Sequence, residues 1–460
     1  MWVPDLSKIA GPRYLAVASA IADAIDSGEL PPGTQLPTQR ELAKRLGITV
    51  GTIGRAYALA RKRRLITGEV GRGTFVEGPR RDLAAARTIP AADPRTIDLG
   101  CYRSPVEGLS EALTQAFAEV ADRTSLLPLH RYPPGTGFLS HRAAGAAWLA
   151  RVGLNVPPQQ VLLTAGAQQA IATAVATFCT GDDMILTEAL TYSGLKAIAA
   201  LQGVRLGAVA MDEEGMIPRA LDAAAAATGA KVVYLQPSVH NPTTALMSQA
   251  RREEIATIAR KHELVLIEDD ASAPALTDRP PPIATLAPEH VCYITSISKA
   301  ISPAFRLGYI ASSPPLIERL LNTFHAYALA VSPLIAEVVS LMIGNGAAER
   351  IARRNVAELK RWREIAEAEL AGHDVRTRDG AFFLWLMLPE QWAADEFAAA
   401  ANRQGVSVIP VESFATQRGS NVQAVRASVN PASNPDVLRR GLRTLVGLLQ
   451  TRPRPHELII

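Results

Sequence analysis

A set of polar residues falls at the ends of short apolar runs, and their types suit one kind of chemistry. Lys299 lies in the stretch TSISKAISPAFRLGY, with Ser296 and Ser298 before it and Arg306 after it. Such a lysine can form a Schiff base with a carbonyl. Asp269 ends the apolar run LVLIEDD, where an acid is costly to bury unless it meets a cation. In TAGAQQA, Gly166, Ala167 and Gln168 sit at a strand-to-helix turn, whose backbone N–H groups can cup a phosphate. Tyr192 in EALTYSG offers a ring to stack on, and Asn241 in VHNPT offers a hydrogen bond to a ring oxygen.

Singly, each has an ordinary explanation. Ser-x-Ser-Lys is common by chance, an acid at a strand end is often a cap, and Asn-Pro is usually a turn. Together they meet the demands of pyridoxal 5'-phosphate (PLP). That cofactor needs a lysine, a carboxylate at its pyridinium nitrogen, an aromatic face, and a phosphate site of backbone N–H groups, hydroxyls and an arginine.

Positioning these groups takes an α/β framework. From Leu154 onward short apolar strands alternate with longer helical patterns, and strands are expected at 161–164, 184–187, 205–210, 232–236, 264–268, 291–295 and 307–311. That alternation predicts a mainly parallel sheet, with ligands bound beyond the C-terminal strand ends. Gly166, Asn241, Asp269 and Lys299 all lie just past such ends. After about residue 315 the helices lengthen, and shorter strands near 382–387 and 425–429 suggest a smaller α/β subdomain.

Ahead of this body lies a basic module. Residues 1–80 hold 12 Lys+Arg against 7 Asp+Glu, a net of +5, while the whole chain is +4. Tyr14, Val17, Ile21 and Ile25 recur at helical spacing, and Gly28 follows them. Thr38 and Glu41 form a capping-box pattern opening a second helix with Leu42 and Leu46, which Gly47 ends. Thr49 can cap a third helix with Val50, Ile53, Ala56, Tyr57 and Ala60 on its apolar face. Residues 65–67 and 74–76, joined by a glycine-rich turn, read as a hairpin. Helix, turn, helix and hairpin make a winged helix-turn-helix. The third helix offers Thr49, Gly51, Thr52 and Arg55 to double-stranded DNA, and Arg72 at the hairpin tip can enter a minor groove. Residues 79–97 lack a convincing period and read as a linker.

At 460 residues the chain should hold two or three domains. Cys101, Cys179 and Cys292 are far apart, without metal-ligand spacing, and read as reduced thiols of a cytoplasmic protein. Charged residues precede any apolar run at the N-terminus, so no signal peptide is expected, and no stretch suits a bilayer.

The stretch LPPGTQLPTQRELAKRLGITVGTIGRAYALARKRRLITGEVGRGTFV resembles the winged helix of GntR-type repressors over about residues 12–77. The resemblance implies that Arg40 contacts phosphate and that Thr52 and Arg55 face DNA. The ordered cofactor motifs resemble fold-type I aminotransferases over about residues 98–450. This implies PLP held as an aldimine on Lys299, Asp269 at the pyridine nitrogen, and Arg306 with Ser296 and Ser298 at the phosphate. Tyr132 in HRYPPGTG matches the tyrosine that reaches the neighbouring subunit's phosphate, implying a homodimer with composite sites. Arg426 in AVRASVN matches the arginine that clamps an α-carboxylate, a task suited to its planar fork.

The whole arrangement resembles the MocR subfamily of regulators. The expected plan is a DNA-binding domain at 1–78, a linker at 79–97 and a PLP-binding effector domain at 98–460. The large subdomain would occupy about 130–315 and the small one about 316–450. The expected function is transcription regulation by sensing a small amine, an amino acid or PLP itself. Three positions depart from the families: Arg64 replaces a glycine, Thr244 replaces the glycine of HNPTG, and Ala271 replaces the tyrosine that donates to the ring oxygen. The last weighs against efficient transamination. The rival readings are a working aminotransferase with an appended DNA-binding head, and a regulator whose sensor has lost its cofactor. Intact Lys299, Asp269 and Arg306 oppose the latter.

Overall fold

Val17 and Ile21 of the first helix, Leu42 of the second, and Ile53, Ala56 and Tyr57 of the third close into one small core. They do so in a computed structural model that describes residues 2–4, 13–26, 28–31, 33–62, 65–69, 73–76, 96–103, 108–122, 132–272, 278–417, 422–429 and 434–451. Arg72, Arg64 and most of the expected linker lie outside the described residues. Contacts divide the chain into an N-terminal unit and a larger unit that follows it.

In the N-terminal unit the helices are Arg13–Asp26, Gln39–Leu46 and Val50–Lys62. The second opens on the expected capping box: Glu41 N donates to Thr38 Oγ1 at 3.3 Å, and Thr38 N donates to the Glu41 carboxylate at 3.0 Å. Gly47 closes it with φ 64°, a conformation glycine adopts without penalty. The third helix starts at Thr49, whose hydroxyl accepts from Thr52 N at 3.2 Å. Val50, expected on the apolar face, is the first helical residue and is 45% exposed, so the buried stripe begins at Ile53. The hairpin strands are Ile66–Glu69 and Gly73–Val76. A third strand, Gln35–Leu36, joins them through Gly73–Val76, which lies in the middle. Two residues carry no readable alternation, so sequence pattern alone missed it.

The larger unit is built on a seven-stranded sheet. Its spatial order is Val161–Thr164, Gly308–Ala311, Val291–Ser296, Val265–Asp269, Val232–Leu235, Met184–Glu188 and Arg205–Val209. Only Gly308–Ala311 runs against its neighbours. Every other pairing is parallel. Successive residues feed different cores: Leu163, Val233, Leu266 and Tyr293 on one face, Leu162, Val232, Ile267 and Cys292 on the other. Burial on both faces explains why these strands read as unbroken apolar runs.

A four-stranded antiparallel sheet forms the smaller subdomain, in the order Val375–Arg376, Phe383–Met387, Ala424–Ser428 and Ile409–Pro410. The core beside it joins Trp362, Phe383 and Trp385 to Leu442 and Leu445 of the helix Pro435–Leu449. The expected boundary at residue 316 is not where the cores part. Leu320 and Phe324 of Pro314–Ala328, and Ala336 and Val339 of Pro333–Gly344, lie in the cores of the large sheet. The helix Ala347–Glu369 spans the change, with Ile351 in one core and Leu359 in the other. Longer helices announce themselves by period, but period does not tell which core they serve.

The smaller subdomain also recruits the start of the unit. Ile97–Asp98 pairs in parallel with Val406–Ser407, and Leu99 belongs to the same core as Trp385. Among the described residues no helix is long and apolar enough to cross a membrane.

Candidate functional site: a lysine-lined pocket and two exposed arginines

Three consecutive acids, Glu268, Asp269 and Asp270, end one strand, and the pleat sends them to different partners. Glu268 accepts from the backbone N–H groups of Ile283 and Ala284 at 2.9 Å each and lies 3.9 Å from Arg252. Asp270 is ion-paired with Arg279 and accepts from Tyr293 Oη at 2.7 Å. Asp269 alone faces the cavity. Its Oδ2 accepts from Tyr234 Oη at 2.6 Å and Gln236 Nε2 at 2.9 Å, and its Oδ1 from Ala271 N at 3.1 Å. Burial raises its pKa while these donors oppose the rise. Among the described residues no cation lies within ion-pair reach of Asp269. Three donors thus hold a buried acid at the cavity wall.

The cavity has a volume of about 280 Å³. Lys299, just past the strand Val291–Ser296, lines it together with Ser296 and Ser298. Its Nζ lies 4.6 Å from the ring centroids of both Tyr102 and Phe382. Burial pushes its pKa down to about 8, helped by the positive charges of Arg426 and Arg306 and opposed by Cys101. More of the amine is thus neutral, and nucleophilic, near physiological pH than in an ordinary lysine.

A helix N-terminus beside an arginine forms another part of the wall. Gly166 caps the helix Ala167–Phe178 with φ 87°, and a Cβ there would lie 2.9 Å from Arg306 Nη2. The guanidinium therefore lies against the helix N-terminus, where backbone N–H groups and the macrodipole favour an anion. Arg306 itself has φ 47°, a left-handed conformation that is sterically costly for a residue with a Cβ. Ala167 and Gln168 open the helix, and Gln168 accepts from Tyr192 Oη at 2.9 Å, which ties the expected stacking ring to the expected phosphate turn.

Arg426, in the strand Ala424–Ser428, completes the constellation. Its Nη1 donates to Asn241 Oδ1 at 2.9 Å and its Nη2 to Gly100 O at 2.8 Å, while its buried Nε has no partner among the described residues. Burial lowers its pKa to about 10. Because the Asn241 oxygen is occupied, its amide nitrogen remains the donor end. Ala271 lines the same cavity as Asn241 without a polar side chain. Thr244, which replaces the family glycine, keeps a left-handed φ of 62° and donates its N–H to His240 O at 2.7 Å.

Thus Lys299, Asp269, Asn241, Tyr192, Ala167, Gln168, Ser296, Ser298, Arg306 and Arg426 line one cavity, with Gly166 against Arg306. Tyr132 is 84% exposed and lines no part of this cavity. Sequence reasoning missed Tyr102, Cys101, Phe382, Tyr234 and Gln236. Gln236 was within reach, since it ends an expected strand beside the others. Tyr102 was not, because it follows a segment without period.

In the N-terminal unit, Arg40 and Arg55 are exposed on the second and third helices. The Arg55 guanidinium lies 5.6 Å from the Tyr14 ring centroid, a cation–π contact. The hydroxyls of Thr49 and Thr52 are 2.8 Å apart and share the helix start.

Comparison with known proteins agrees with both parts. Residues 95–445 match the family of class I and II aminotransferases, and residues 13–76 match bacterial regulatory proteins of the gntR family. An uncharacterized HTH-type transcriptional regulator of Bacillus subtilis, YdeF, is 31% identical over 450 residues, covering 97% of this chain and 96% of its own. A 2-aminoadipate transaminase of Thermus thermophilus is 30% identical over 336 residues, covering 69% of this chain and 82% of its own. The crystal structure of LysN, an α-aminoadipate aminotransferase of Thermus thermophilus complexed with N-(5'-phosphopyridoxyl)-L-leucine, superposes with a TM-score of 0.70 at 26% identity, covering 80% of this chain and 96% of that one.

Proposed function

The chain belongs to the class I and II aminotransferases, with a gntR-family winged helix ahead of that domain, and on this premise we propose that it is a PLP-dependent transcription regulator that binds double-stranded DNA and senses a small amine or amino acid at Lys299. Pyridoxal 5'-phosphate is the cofactor of the family. The observation that carries the reading is the pairing, in one cavity, of a buried acid, Asp269, held by Tyr234, Gln236 and the Ala271 N–H, with a buried amine of lowered pKa, Lys299. When bound, PLP supplies an electrophilic carbon for amines and a ring that withdraws electrons.

Each neighbouring residue then has work to do. Lys299 would hold the cofactor. Asp269, oriented by Tyr234 and Gln236, would keep a proton at its ring nitrogen. Arg306, the Gly166 turn, Ser296 and Ser298 would bind its phosphate. Asn241 would donate to its ring oxygen, Tyr192 would stack on its ring, and Arg426 would receive a carboxylate. Tyr132, exposed in one chain, belongs to the cofactor site of a second copy, so the regulator is a homodimer with composite sites. Arg40, Thr49, Thr52 and Arg55 form the DNA-facing surface. Ligand exchange at Lys299 alters DNA binding only if two arrangements of the dimer hold the ligand with different affinity.

A working aminotransferase is the second reading, favoured by the intact carboxylate clamp at Arg426. Ala271 counts against it, because a ring-oxygen donor of the enzymes is gone. Steady turnover of an amino donor with a keto acceptor would establish it. For the sensor, borohydride reduction of the coloured protein followed by peptide mapping should label Lys299. A label elsewhere, or a protein that stays colourless after PLP is added, overturns the reading.

A further inference from the structure

Asn241 and Tyr192 lie on separate segments, and one imidazole ties those segments together. His240 directly precedes Asn241 and is buried. Its Nε2 lies 3.0 Å from the carbonyl oxygen of Leu190, two residues before Tyr192. A carbonyl only accepts, so Nε2 carries the proton and Nδ1 is left as an acceptor. Nδ1 accepts from Thr243 Oγ1 at 2.8 Å. Burial pushes the His240 pKa down to about 4, opposed by the Leu190 carbonyl, so both roles hold at neutral pH. The backbone is fixed as well: His240 N donates to Ala245 O at 2.9 Å, and His240 O accepts from Thr244 N at 2.7 Å.

The two segments follow Val232–Leu235 and Met184–Glu188, which are neighbours in the large sheet. Both nevertheless root in the smaller subdomain, because Val239 and Leu190 are buried in its core. Val239 has φ 53°, a costly conformation for a β-branched residue, and its side chain is fully buried there. Thr191 N donates to Phe414 O at 2.8 Å, Thr416 N to Ala189 O at 2.9 Å, and Thr416 Oγ1 to Glu188 O at 2.6 Å. Ser238 is held from the large-sheet side, where its Oγ accepts from Arg252 Nη2 at 2.9 Å and Arg279 Nη1 at 3.0 Å.

We propose that His240 is a positioning residue for the ring site: its bond to Leu190 sets the Asn241 and Tyr192 segments relative to each other, so that the two ring-facing side chains act as one unit anchored to the smaller subdomain. This rests on the cofactor reading above. His240 does not line the cavity, and it acts through its neighbours.

The test compares full-length, PLP-loaded His240→Phe and His240→Gln with the wild type. Phenylalanine keeps the volume of the ring and removes both side-chain bonds, whereas the glutamine amide can still donate to Leu190 O. Two properties are read per bound cofactor: the pH of the visible transition, and the visible circular dichroism, which reports how the ring is held. With Asn241 displaced, the ring oxygen loses a donor and its deprotonated form is disfavoured. His240→Phe should therefore move the transition up by at least about half a pH unit. It should also lower the dichroism at least twofold, and His240→Gln should recover at least half of each change. A His240→Phe protein that melts at lower temperature yet keeps both readings at wild type would make His240 a packing residue and overturns the proposal. So does a glutamine variant as perturbed as the phenylalanine one. If His240→Phe fails to fold, Thr243→Val decides, since it removes the Nδ1 partner from a half-buried position. An upward shift of at least about 0.2 pH unit supports the assignment, and an unmoved transition overturns it. Borohydride labelling of wild-type Lys299 separates the two levels: no label defeats the cofactor reading itself, whereas normal labelling with unmoved variants defeats only this inference.

Discussion

Tyr234 Oη donates to Asp269 Oδ2 at 2.6 Å, and both side chains are buried. The hydroxyl stabilises the carboxylate against the burial that favours its neutral form. Tyr234→Phe should therefore raise the Asp269 pKa and weaken its hold on the ring nitrogen. A hydrogen bond to a charged group contributes about 1.5–3 kcal/mol, so PLP affinity should fall on the order of tenfold or more. Equilibrium dialysis measures this, and the ¹⁵N shift of the cofactor ring should move toward the unprotonated value. Unchanged affinity and shift would make Tyr234 a packing residue only.

With alanine at 271, Asn241 and Ser272 are the neighbouring side-chain donors that line the cavity. A donor to the ring oxygen favours the deprotonated form of the Lys299-bound chromophore, so Ala271→Tyr should move its visible transition to lower pH. A spectrophotometric pH titration of both proteins decides. No shift, or one upward, would remove Ala271 as a reason against efficient turnover.

Burial, helped by Arg426 and Arg306, pushes the Lys299 amine down to about 8. Only its neutral form attacks a carbonyl, so the rate at which apoprotein takes up PLP should climb as pH rises and level off above about 8. Below that point the rate should fall about tenfold per pH unit. Arg426→Ala removes a charge that depresses this pKa, so the rise should move to higher pH. The same variant should lose its response to a carboxylated effector while still binding PLP.

Gly166→Ala places a Cβ 2.9 Å from Arg306 Nη2 in a backbone conformation with φ 87°. With ψ 170° this backbone lies in a region that is essentially glycine-only, so alanine there costs on the order of 1–3 kcal/mol, and the guanidinium must also give way. PLP should then be held more weakly, and free phosphate should compete less well. Retention equal to wild type would mean the Gly166 turn is not the phosphate site.

For the N-terminal unit, each cation on a DNA phosphate should contribute about 0.9 to the slope of log K against log salt concentration. Arg40→Ala and Arg55→Ala should each weaken binding and flatten that slope, as read by fluorescence anisotropy at several salt concentrations. Affinity and slope unchanged in both variants would assign DNA to another face.

The framework was largely legible because its signals are local. The capping box at Thr38 and Glu41, the glycine at 47, and the apolar runs ending at Asp269 and Ser296 each announce an element within a few residues. What escaped is nonlocal. Tyr102 reaches Lys299 across 197 positions, through a hydroxyl donated to its backbone carbonyl at 3.3 Å. The Gln35–Leu36 strand is too short for a period to show. Nothing in the spacing of Glu268, Asp269 and Asp270 tells which acid has a basic partner, because Arg252 and Arg279 approach from other segments.

The parallel pairing of Ile97–Asp98 with Val406–Ser407 also sets the order in which the pocket can come into being. Ser407 Oγ donates to Asp98 Oδ1 at 2.6 Å across 309 positions. Such a contact closes a very long loop and forms only after much else is in place. During synthesis, Gly100 and Tyr102 emerge early but lack the strands that fix them. Arg426, which grips the Gly100 carbonyl, is made near the end. Lys299 and Asp269 can thus be folded into their sheet well before the wall opposite them exists. A chain that stops before Phe382 lacks Phe382, Phe383, Arg426 and Ser428, and with them one wall of the cavity.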